Sequence, residues 1–116
     1  MSEERSVNLF IQDVFDAIDK INGYVSGMAN GKELKGDAKS YDAVMMNFII
    51  IGEAIKNIYE EVRKNHPNVE WRQIMDMRNL LAHEYWGVDE KVVWSAIGKD
   101  LPRLKEIMTK IKNSFD

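Results

Sequence analysis

Nine consecutive residues hold most of the groups able to do chemistry: Arg78-Asn79-Leu80-Leu81-Ala82-His83-Glu84-Tyr85-Trp86. A histidine titrates near neutral pH, so His83 can take up or release a proton under ordinary conditions. The guanidinium of Arg78 presents a fixed fork of donors suited to a phosphate or another oxyanion. On a helix at about 100° per residue, counted from Arg78, Tyr85 lies about 20° to one side. Ala82, Trp86, Asn79 and His83 lie at about 40°, 80°, 100° and 140° on the other. Ile74, Met77, Leu80 and Leu81 fall together on the opposite half. Such a helix has an aliphatic core side and a polar–aromatic side around one small residue, Ala82, where a second backbone can approach closely. Each residue also has a plainer use: a solvated arginine, a hydrogen-bonded structural histidine, aromatics in a core or an interface. A metal centre does not suit these residues. The only other histidine, His66, sits beside Pro67, and the chain has no cysteine.

The motif must be held by the elements around it. A first helix is predicted from about Arg5 to Val25, where Val7, Phe10, Ile11, Val14, Ile18 and Ile21 form one apolar stripe. Gly23, Gly27, Gly31 and Gly36 then mark a connection, with a frayed helical turn around Met28. A second helix is predicted from near Asp37 to Lys64. Its seam is Val44, Phe48, Ile51, Ile55, Ile58 and Val62, spaced four, three, four, three and four apart. Met45, Met46, Ile49 and Ile50 widen the seam almost to the full circumference. That width predicts a central helix covered on all sides, with spare apolar surface for a dimer contact. His66-Pro67 ends it. A third helix, the one bearing the motif, runs from about Asn68 to Tyr85 and stops at Gly87. Asp89 caps a fourth, which carries Val92, Val93, Trp94, Ile97, Leu101, Leu104, Ile107, Met108 and Ile111, with a kink or a restart at Pro102. No strand pattern and no repeat is visible. The predicted fold is one all-α domain over residues 1–116, an antiparallel bundle of four or five helices.

Composition sets limits on function without choosing one. At 116 residues, 45% hydrophobic and 30% charged, the chain suits a single globular domain with its own core. Its longest apolar run, Phe48 to Ile51, is too short to span a bilayer, and MSEERSVNLF does not read as a signal peptide, so a cytoplasmic protein is expected. A net charge of −3 argues against coating nucleic acid through the general field, while leaving room for a local phosphate cleft.

The motif Arg78, His83, Tyr85, an R-x4-H-x-Y pattern, resembles the signature of HepT-like proteins within the HEPN superfamily. So do Lys39-Ser40-Tyr41-Asp42-Ala43-Val44, Ile50-Ile51-Gly52-Glu53-Ala54, Trp71-Arg72-Gln73-Ile74, Tyr85-Trp86-Gly87-Val88-Asp89 and Asp100-Leu101-Pro102, in the family's order over nearly the full chain. The resemblance implies a homodimer in which the motif helices meet and Arg78 and His83 of both protomers form a metal-independent ribonuclease cleft. No cofactor is implied. Asn79, one turn before His83, would orient the ring or donate to the phosphate. The family also implies a toxin neutralised by a minimal nucleotidyltransferase antitoxin, which transfers AMP onto Tyr85. The alternative is a non-catalytic helical partner that scaffolds the nucleotidyltransferase; such a protein would not need the Arg78–His83 pair.

Overall fold

A computed structural model of the chain describes residues 3–62, 72, 75, 76, 79 and 89–113. Among these there is no strand; the described chain is an all-α bundle. Helix α1 spans Glu3–Val25, α2 Gly31–Gly36, α3 Ala38–Val62, α4 Glu90–Ser95 and α5 Leu101–Asn113, with a π-helical turn over Ala96–Asp100 between the last two.

The apolar stripe of α1 forms the core as its spacing requires. Val7, Ile11, Val14, Ile18 and Ile21 are buried together with Ala17, and Phe10 is half-buried against them. All six seam residues of α3 are buried, and among the described helices α1 and α3 make the most extensive pair. The connection folds back on itself: the Met28 N–H donates to the Val25 carbonyl at 2.9 Å and the Asp37 N–H to the Leu34 carbonyl at 3.1 Å. A linker so folded cannot return the chain along a helix of about 34 Å, so α3 runs back antiparallel to α1. Helix α5 also packs against α1, and its Leu101, Leu104, Met108 and Ile111 are buried in the core.

Three expectations are corrected. Met28 is not in a helical turn; the glycine-rich stretch instead forms α2, three residues further on. The cause is local. Asn30 caps this helix by accepting from the Glu33 N–H at 3.0 Å, the Glu33 carboxylate reaches back to the Ala29 N–H, and Leu34 is fully buried. Nor is α3 covered all round: Met46 and Ile50 are 56% and 41% exposed, one turn apart, with Ile49 half-buried beside them. On the fourth predicted helix, Val92 faces solvent at 42% exposure while its neighbour Val93 is buried.

The interruption near Pro102 takes a specific form. Proline has no N–H, and its ring would strike the carbonyl four residues back, at Gly98. The chain avoids this with a wider turn, in which the Leu101 N–H donates to the Ala96 carbonyl, five residues back. Two buried spacings of four, Val93 to Ile97 to Leu101, fit that wider turn and keep the inward stripe continuous into α5.

Asp37 both ends α2 and begins α3. Its carboxylate accepts from the Ser40 N–H at 3.2 Å and the Ser40 hydroxyl at 2.9 Å. Those hydrogen bonds, backbone first, hold the carboxyl below its ordinary value of 3.8, aided by Lys39 and only partly opposed by burial.

Candidate active site

The motif segment is entered from α3 and left into α4, and both ends are fixed. Val62, at the end of α3, is fully buried. Asp89 accepts from the Lys91 N–H at 2.7 Å and so caps α4 where the sequence places its start. Glu90 then meets α2 in two ways. Lys35 lies 3.6 Å from its carboxylate, an ion pair whose lysine is 59% exposed and which contributes under about 1 kcal/mol. The tighter contact is steric: a Cβ on Gly31 would sit 2.6 Å from the Glu90 carbonyl oxygen. A residue without a side chain is therefore required for α2 and α4 to approach this closely. Sequence reading missed the pairing, although Asn30 followed three residues later by Glu33 is a legible start signal for a helix.

Within the segment, Arg72, Met75, Asp76 and Asn79 are helical, as predicted for the third helix. Arg72, Asp76 and Asn79 are exposed and lie within an arc of about 60° on a regular helix. Met75, at the edge of that arc, is half-buried and packs against the core. Asn79 is thus on the outward face of this stretch. Arg78, His83 and Tyr85 lie outside the described residues, as do Ala82, Trp86 and the His66-Pro67 turn. Among the described residues no group of three or more His, Cys, Asp or Glu side chains could hold a metal ion, and no helix is long and apolar enough to cross a membrane.

The all-α frame, with helical Arg72, Met75, Asp76 and Asn79 and a capped helix after the motif, is accompanied by a sequence match. The pattern of the ribonuclease HepT-like family matches residues 14–111. The chain belongs to the ribonuclease HepT-like family. A HepT-like relative from Thermococcus cleftensis, named "Probable ribonuclease HepT", is 34% identical over 94% of this chain and 98% of its own. One from Methanocaldococcus jannaschii, named a "Putative RNase", is 30% identical over 93% of this chain and 88% of its own. Another "Putative RNase", from Caldanaerobacter subterraneus subsp. tengcongensis, is 43% identical over a shorter stretch, 60% of this chain and 66% of its own. No solved structure matches the chain.

Proposed function

We propose that this HepT-like chain is a metal-independent RNA endonuclease that acts as a homodimer and is silenced by AMP transfer onto Tyr85. The observation that carries the reading is the family match over residues 14–111, which contains the Arg78, His83, Tyr85 pattern complete. Arg78 binds the scissile phosphate and gains strength as that phosphate gains charge in the transition state. His83 moves the proton of the attacking 2′-OH or of the leaving 5′-oxygen. Asn79, outward on its helix, falls about 40° from His83 if the helix continues, close enough to orient the ring or to donate to the phosphate. Arg78 and His83 diverge by about 140° on one helix, so a single phosphate is best served by groups from two protomers. The open Met46–Ile50 patch on α3 gives a second reason for a two-fold assembly.

The neutralising partner is a minimal nucleotidyltransferase of the toxin–antitoxin kind. Adenylate on Tyr85 places a negative phosphate on nearly the same stripe as Arg78, where it competes with RNA for the guanidinium. The test is co-expression with the cognate nucleotidyltransferase, followed by intact-mass spectrometry and an RNA cleavage assay. Wild type should gain one or more AMP units and lose cleavage, while Tyr85→Phe keeps its activity and resists modification. An unmodified Tyr85 in a fully neutralised complex would replace this control by steric occlusion.

A further inference from the structure

Charge is unevenly distributed over this acidic chain. Helix α1 carries five acidic residues against Arg5 and Lys20, and α3 carries Asp42, Glu53, Glu60 and Glu61 against Lys39 and Lys56. Helix α5 reverses the balance, with Arg103, Lys105, Lys110 and Lys112 against Glu106 alone. Lys105 and Lys110, five residues apart, stand about 140° from each other around the helix and bound one groove from its two sides. Lys105 and Lys110 line an open groove together with Pro102, Glu106 and Thr109, all of them exposed. Lys99, on the π turn, and Arg103 are exposed next to it. The Thr109 hydroxyl is turned back onto the Lys105 carbonyl at 2.7 Å, so charge-bearing donors in the groove come from the two ammonium groups.

We infer that this outward face of α5 is an RNA-binding track, which holds the phosphate backbone of the substrate away from the bond being cut. The inference rests on the ribonuclease reading for the identity of the polyanion. The face itself favours nucleic acid over protein: lysine is depleted from protein interfaces, and this groove offers no large apolar anchor. Lys105 and Lys110 are separated by about 7.5 Å along the helix axis and about 140° around it, so their long stems reach different phosphates of a strand lying in the groove between them. Glu106 works against the track. It stands three residues after Arg103 and four before Lys110, where it offsets part of their field.

The experiment measures binding of a single-stranded 2′-O-methyl RNA, which cannot be cleaved through its 2′ position, by fluorescence anisotropy across a salt series. Lys105→Gln with Lys110→Gln should weaken binding on the order of tenfold near 0.1 M salt. The slope of log K against log salt should flatten by about 1.4, at about 0.7 per lost single-strand phosphate contact. Lys105→Arg with Lys110→Arg should bind as wild type, and Glu106→Gln should bind more tightly. On cleavable RNA the double glutamine variant should raise KM with kcat unchanged. Circular dichroism should show an unchanged fold, since both lysines are exposed. Wild-type affinity and salt slope in the double glutamine variant overturn the track, even if the protein cuts RNA normally. Unchanged RNA binding with lost affinity for the nucleotidyltransferase also overturns it and gives the face to a protein partner. A wild type that binds RNA through these lysines but cuts none supports the track while refuting the ribonuclease reading.

Discussion

At the scale of single residues, the motif rests on residue type and spacing, since Arg78, His83 and Tyr85 lie outside the described residues. Arg78, His83 and Tyr85 stand out because few residue types can hold a phosphate, move a proton near neutral pH and accept a transferred group, and here they share one short stretch. Their mutual geometry is a different matter: on one helix Arg78 and His83 would diverge by about 140°, and a chain read alone carries no coordinates for its partner. Asp37 is the opposite case, a residue of structural weight that the sequence marked only as a helix start. Its carboxyl is held below 3.8 by the Ser40 N–H and hydroxyl, so the folded form binds its proton less readily than the unfolded chain. Its stabilisation is complete above that ordinary value and is lost as pH falls through the depressed one. Thermal melts of wild type and Asp37→Ala should therefore differ at neutral pH and converge on acidification below about pH 3.8. A gap in Tm unchanged at pH 3 would mean that the hydrogen bonds to Ser40 do not depend on the charge.

At the scale of elements, hydrophobic period located the two long helices closely. The spacing of Val44, Phe48, Ile51, Ile55, Ile58 and Val62 matches their burial residue for residue. What period cannot convey is closeness between elements distant in sequence. The contact of Gly31 with Glu90 is of this kind, and so α2 read as a loop. Gly31→Ala brings a methyl to within 2.6 Å of a backbone carbonyl, which cannot rotate away as a side chain would. We expect a loss of about 1–3 kcal/mol, typical of overpacking, by urea denaturation. A neutral substitution would show that α2 slides on α4 without cost. Gly23→Ala, with open space at its Cβ, is the matched control. The turn before Pro102 was legible as an interruption, since proline forbids a regular helix there. Its π form was not, because a kink, a restart and a wider turn each relieve the clash of Pro102 with the Gly98 carbonyl.

At the scale of the whole molecule, Met46 and Ile50 are the part of the apolar surface of α3 left exposed among the described residues. Light scattering should give a dimer at micromolar concentration. Met46→Glu with Ile50→Glu, like Ala82→Trp in the motif, should shift it toward monomer; a wild-type monomer would count decisively against a shared cleft. The basic face of α5 also belongs to this scale, because an overall charge of −3 concealed it and only the partition among helices exposes it. The central claim remains that Arg78 and His83 cut RNA without a metal. Its most direct test is the cleavage rate, in EDTA, of wild type shown by mass to be unmodified, beside Arg78→Ala and His83→Ala proteins of the same oligomeric state. Wild type should cut RNA but not DNA of the same sequence, and each variant should lose roughly 10²–10⁴-fold in rate with its fold intact. A verified wild type that cuts no RNA while its nucleotidyltransferase complex forms normally would contradict the account and leave the chain a scaffold.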